Sequence, residues 1–505
     1  MSLPSAVQSG DESAEEAQPA RLRACFGKKN LRDLLAIDER EPLVLAAQTW
    51  LGQLVIFLVA VLAVSSFEDR WQAALLVGLA MAYARLPRYR NWILLGGTWT
   101  AALLALCLSQ NAIQDNIRAM MAVENVHDVS PLALGLLAMA VVFVGAWSVL
   151  ELSRRDKSLF VARRPMLALL GIEAVLCGLC SLSVINGLPR VLLWSLLIVF
   201  TPYLWFLAYA LADQRSRDAS PPIFQMGVLR PFWSPTFLPF GKGAAFLRKT
   251  SAKSPEDLAV TQIKGVKLLL WANVLLVIKI ALVWVFQEQL QVPGLEGAQD
   301  AFLAGQSHSL PYAWAAVILS TAKFSLQIAF WGHLFIGVAR LAGFRLPRST
   351  WRPLGSKTLM EYFNRFHYYF KELLVDFFFV PTFFKVFRGH PRLRLFFATF
   401  MAAGVGNAIW HFIRDIDLIA TIGLGGALAS FESYAFYCLV LATGLGLSQV
   451  RMSMGFKPSL SVAGRLRSFL FVWSFVVCLH IFSDGSRSHS IGERLAFLGS
   501  LFGVI

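Results

Sequence analysis

Residues 132–150 read LALGLLAMAVVFVGAWSVL and carry no charged side chain. As an α-helix, at 1.5 Å per residue, this stretch is about 28 Å long, close to the ~30 Å hydrocarbon core of a bilayer. Working outward, apolar runs of similar kind recur from residue 44 almost to the C-terminus. They predict spanning helices at 44–65, 71–86, 91–109, 132–150, 166–184, 191–212, 265–287, 312–342, 395–413, 432–449 and 467–483. Within lipid only a helix or a closed barrel pairs all of its backbone groups, and the polar/apolar alternation of a barrel strand is missing here. The expectation is therefore an all-α, polytopic integral membrane protein of about 11 transmembrane helices.

Composition agrees, with 56% hydrophobic and 15% charged residues in 505 and a mean hydropathy of +0.58. A formal charge of +15 raises nucleic acid as a partner. The Lys and Arg residues, however, fall in alternate loops between apolar runs, which is the positive-inside pattern and excludes that reading. Arg21, Arg23, Lys28, Lys29 and Arg32, then Arg85, Arg88 and Arg90, then Arg154, Arg155, Lys157, Arg163 and Arg164 mark cytoplasmic segments. Segments 66–70, 110–131, 185–190 and 288–311 are poor in basic residues and are expected outside. Residues 1–40 are polar and predict a cytoplasmic N-terminal segment without a removable signal peptide. Among six cysteines, Cys177 and Cys180 form a CxxC inside an apolar run, which reads as helix packing and not as a metal site.

Four parts follow: the polar segment 1–40, N-terminal helices over 41–212, a basic cytoplasmic loop at 213–264, and a C-terminal membrane region at 265–505. Phe224, Phe232, Trp233, Phe237 and Phe240 in the loop suit either the membrane interface or packing on the protein. One stretch resists the simple topology. Residues 358–384 are flanked by Arg345, Arg348, Arg352 and Lys357 before and by Lys385, Arg388, Arg392 and Arg394 after. A single crossing would place one basic flank on the wrong side, so a cytoplasmic re-entrant segment is predicted, sheltered by protein or a wet cavity.

That segment contains Glu361-Tyr362-Phe363-Asn364-Arg365-Phe366-His367, then Asp376 and Pro381. So many polar groups among aromatics are costly in lipid and need one another or water. Further on, Gly404-Val405-Gly406-Asn407-Ala408-Ile409-Trp410-His411 places Asn407 and His411 on one helical face beside small residues that admit a close neighbour.

These two runs, within 340–415, resemble the core of the membrane-bound O-acyltransferase (MBOAT) superfamily. The first resembles its acidic-aromatic-Arg-aromatic-His signature, with Asp376 and Pro381 nine and fourteen residues after His367. The second matches its Trp-His pair in Trp410 and His411. Phe363, Phe366, Val375 and Asn407-Ala408-Ile409 depart from the usual residues, so the resemblance is to a divergent member.

The resemblance implies O-acyl transfer within the membrane. An imidazole suits removal of a hydroxyl proton as that oxygen attacks a thioester, and His411 is the candidate base. His367, Asn364 or Asn407 would stabilise the oxyanion or orient the acceptor, with Trp410, Glu361, Arg365 and Asp376 in support. The same resemblance implies acyl-CoA or an acylated carrier protein as donor and an envelope polysaccharide, glycan or lipid as acceptor. It leaves room for an extracytoplasmic partner protein and favours a bacterial inner membrane; no covalent cofactor or metal is called for. A transporter or flippase, and a catalytically silent scaffold, are the alternatives. Glu173, Lys279, Lys323, Gln327 and His333 are the candidates to line a transport pathway, or simply to pack.

Overall fold

The computed structural model describes residues 36–108, 112–216, 218–306, 309–459, 461–483 and 488–504. The basic residues Arg21 to Arg32, Cys25 and His308 lie outside the described residues, as does most of the expected segment 1–40. Among the described residues the regular structure is helical, with one isolated antiparallel bridge between Ser251 and Phe344.

In chain order the helices used below are α1 (Glu41–Gln48), α2 (Trp50–Val64), α3 (Arg70–Arg85), α4 (Pro87–Cys107), α5 (Ala112–Val123), α6 (Pro131–Arg155), α7 (Pro165–Ser181) and α8 (Leu188–Asp213). They continue as α9 (Pro255–Gln289), α10 (Leu310–Leu341), α11 (Leu359–Phe366), α12 (Tyr368–Leu374), α13 (Val380–Lys385), α14 (Pro391–Arg414), α15 (Leu418–Ser453), α16 (Val462–His480) and α17 (Ile491–Leu501).

Among the described residues seven helices are long and apolar enough to cross a membrane: α6, α8, α9, α10, α14, α15 and α16. Counting the bent pairs α1–α2 and α4–α5 as single spans gives up to nine. The chain is thus a helical, polytopic membrane protein, with fewer clear spans than the eleven expected. The stretches at 71–86 and 166–184 do fold as helices, α3 and α7, but with 16 and 17 residues they reach only about 24–26 Å.

The expected helix over 44–65 is interrupted. At Thr49 the chain turns by 95° between α1 and α2. Thr49 makes the turn by adopting an extended backbone and capping α2, its hydroxyl oxygen accepting from the Gly52 amide at 3.1 Å. Gly52 is needed because a Cβ there would stand 1.9 Å from the Ala46 carbonyl oxygen. Hydropathy runs unbroken through this corner, so only the cap and the glycine record it.

Burial sorts the spans. In α8, 83% of the most apolar window is buried, and every residue from Leu204 to Leu211 is in the core, as a helix apolar on all sides requires. α9 is the opposite, with 17% of its window buried and Val274, Val277 and Ile280 turned outward. α8 is therefore central and α9 peripheral.

The loop 213–264 is tucked into the protein. Trp99 donates its indole N–H to the Met226 carbonyl at 3.1 Å and Thr98 its hydroxyl to that of Gly227 at 2.9 Å, both from α4. Phe232, Trp233 and Phe240 are buried, Trp233 against Phe344 and Phe240 against Phe335 and Tyr369. Packing on the protein, and not the membrane interface, accounts for these three aromatics.

Gly52→Ala is expected to lower thermal stability by about 1–3 kcal/mol, the cost of overpacking a closed site. Thermal unfolding followed by far-UV circular dichroism in detergent checks this, with Gly78→Ala, whose added Cβ meets only one ring carbon at 4.0 Å, as the neutral comparison.

Candidate functional site

Residues 358–384 do not form one helix. α11 ends at Phe366, His367 takes non-helical angles (φ −143°, ψ 70°), and α12 starts at Tyr368. A π-helical turn at Val375–Phe379 then leads into α13. From Tyr368 to Lys385 the helical run is continuous, but it carries Lys371, Glu372, Asp376 and Lys385, a charge load that an apolar span does not bear.

A helix that stops leaves its last carbonyls without partners, and in an apolar setting these must be supplied. Residues 349–351 supply them. The Trp351 amide donates to the Arg365 carbonyl at 2.8 Å, and the Thr350 hydroxyl to that of Phe366 at 2.6 Å. In return the Tyr368 amide donates to the Ser349 carbonyl at 2.9 Å. His367 is thereby fixed at the corner. Its ring meets Phe366 and, at 5.6 Å between centroids, Phe370. Its Nδ1 is buried with no hydrogen-bond partner among the described residues.

The second run arrives on α14. Its residues Met401–Gly406 form another π-helical turn, and the two π turns pack together. Such turns shift the register of a helix and are frequent at functional sites. Gly406 permits the contact, since a Cβ there would stand 2.7 Å from the Phe378 ring.

Beyond this turn Asn407 is buried, its Oδ1 lacking a partner among the described residues, and Trp410 and His411 are half-buried. The Phe370 ring lies 4.9 Å from Trp410 and 5.9 Å from His411. One phenyl ring is thus the shared neighbour of both histidines, which are 44 residues apart in sequence. The His411 Nε2 and the Tyr434 hydroxyl lie 2.7 Å apart, the rings at 4.3 Å. Tyr434 then contacts Tyr437 at 4.9 Å.

The charged residues separate from the histidines. Glu361 pairs with Arg365 at 2.6 Å, and its other oxygen accepts from the Lys357 amide at 2.7 Å. Arg365 lies over Trp351 at 5.1 Å. Asp376 accepts from the Tyr209 hydroxyl and from Lys242, each at 2.9 Å, and Lys242 also donates to Glu372 at 2.6 Å. Neither Glu361 nor Asp376 holds His367 through these bonds. Asn364 is half-buried on α11, three residues before His367.

Lys242 and Tyr434 are the residues that motif reading passed over. Lys242 looks like one more basic loop residue, yet only 15% of its side chain is exposed. Burial pulls its pKa down, and the Asp376 and Glu372 carboxylates more than reverse this, leaving it above the usual lysine range. It ties the loop to the segment that carries His367.

The intramembrane polar residues mostly pair locally. Lys279 donates to Gln327 at 3.0 Å and Lys323 to Gln287 at 2.9 Å, both bridging α9 and α10. His333 Nδ1 lies 2.6 Å from the Ala329 carbonyl one turn back, and Glu173 accepts from Thr201. Among the described residues no group of three or more His, Cys, Asp or Glu is placed to hold a metal ion.

No protein-family model matches the chain, and a search of curated proteins gives no match.

Lys242→Met is expected to cost about 1–3 kcal/mol, because it leaves Asp376 without its cation and Glu372 with Lys371 alone. Combining it with Asp376→Asn should recover part of that loss, and a double-mutant cycle by thermal unfolding checks the coupling.

Proposed function

We propose that this protein is a membrane O-acyltransferase, moving an acyl group from a thioester donor to a hydroxyl acceptor. The observation that carries the reading is the convergence of His367 and His411 on Phe370, with Tyr434 beside His411. Two residues picked out by separate motifs share one aromatic neighbour, which an unrelated pair of packed histidines has no reason to do.

In this reading His411 takes the proton of the acceptor hydroxyl as its oxygen attacks the thioester carbonyl. The tetrahedral intermediate's oxyanion is met by His367 or Asn407, and its collapse expels the thiolate, which recovers the proton from His411. Tyr434 positions the imidazole from the side opposite the chemistry, while Trp410 fixes its plane by ring contact at 4.7 Å. Asn364 contributes to the acceptor side. Arg365 with Glu361, and Asp376 with Lys242, hold the broken segment and do not react.

The donor is acyl-CoA or an acylated carrier protein and the acceptor an envelope polysaccharide, glycan or lipid. Both are inherited from the motif resemblance. The finer topology belongs to the same proposal: about eleven crossings, with α3 and α7 tilting little and the bilayer thinning around them, a cytoplasmic N-terminus, and 358–384 entering and leaving on the cytoplasmic side of a bacterial inner membrane. The break at His367, with the charged residues Lys371, Glu372 and Asp376 beyond it, supports a segment that turns within the protein instead of crossing.

Thioester consumption by the purified protein in nanodiscs, with acyl-CoA and acyl-carrier donors and hydroxyl acceptors, tests the reading. His411→Ala should lower kcat by about 10²–10⁴-fold, the contribution of a general base. Equal turnover in wild type and His411→Ala removes His411 from the role.

A further inference from the structure

One apolar cleft has neither histidine in its wall. It lies between α15, α16 and α17, has a volume of about 830 Å³, and is lined by apolar side chains such as Phe436, Leu470, Cys478 and Leu498. Among its lining residues one is charged, Arg467. The volume is that of a site for a single small molecule.

Its setting identifies the occupant. α15 and α16 are both long and apolar enough to span, so the cleft faces hydrocarbon. Leu466, Leu470 and Phe471 along its wall are 54–60% exposed, as lipid-facing residues are. Arg467 sits in the second turn of α16, with Arg465 before it, Lys457 in the connection to α15 and Arg451 in the last turn of α15. From Arg467 the cleft runs along α16 to Cys478, eleven residues or about 16 Å, which is the depth of one leaflet's hydrocarbon. A cation at headgroup level above an apolar groove one leaflet deep fits one ligand class best.

We propose that this cleft binds an anionic phospholipid, one acyl chain lying between α15, α16 and α17 and the phosphate against Arg467. A zwitterionic lipid offers the same chain but a headgroup whose ammonium offsets the phosphate. A second copy of the protein would fill the groove with side chains and have no use for a cation at that depth.

Native mass spectrometry of the protein released from nanodiscs of equimolar phosphatidylglycerol and phosphatidylcholine tests this. Wild type should retain phosphatidylglycerol about 5-fold over phosphatidylcholine, the discrimination of one arginine near an anionic surface. Arg467→Gln should keep lipid adducts but lose that preference. Ser474→Trp, which puts an indole at an exposed position of the wall, should lose adducts of both lipids while keeping the wild-type melting temperature. Unchanged preference in Arg467→Gln, or unchanged retention in Ser474→Trp, overturns the proposal. So does a concentration-dependent dimer that Ser474→Trp abolishes, which would give the groove to a second copy.

Discussion

In hydrocarbon an unpaired backbone group costs several kcal/mol, so a helix can stop only where something else takes its last carbonyls. Residues 349–351 do this for α11, through the bonds of Trp351 and Thr350 to Arg365 and Phe366. The corner at His367 exists because those bonds exist. Once it is fixed, α12 leaves at a new angle, Phe370 comes between the two histidines, and the π turn at Val375–Phe379 meets that of α14.

Electrostatics then fasten the corner to the rest of the protein. Lys242 reaches from the loop 213–264 to Glu372 and Asp376, and Tyr209 reaches Asp376 from the central helix α8. The loop is itself anchored by α4 through Trp99 and Thr98. Two regions distant in sequence, one of them with α4 behind it, thus reach one short segment. Its polar residues, expensive in lipid, are tolerated because each carboxylate has a cation and each cation a carboxylate or an aromatic face.

What the sequence discloses follows from how local each determinant is. Apolar length is local, so the positions of α6, α8, α10, α14 and α16 are readable to within a few residues. The 95° corner at Thr49 is hidden because Trp50 to Val64 is as apolar as any span, and its signal is one capping threonine with Gly52 at a forbidden approach. His367 and His411 stand out as polar residues in apolar runs. Phe370 does not, being one of 40 phenylalanines, and its place between them depends on the break in backbone angles at His367. Tyr434 is equally silent, since its meaning lies in a 2.7 Å approach from another helix. Lys242 reads as a solvated charge until burial shows otherwise.

The claim that the two motifs make one site is open to a kinetic double-mutant cycle on His367 and His411. Residues that act on the same transition state are not additive. If the claim holds, thioester turnover by the His367→Ala, His411→Ala double variant is close to that of the slower single variant. If the two losses simply multiply, while all three variants unfold at the wild-type temperature, the histidines act independently and the claim is contradicted.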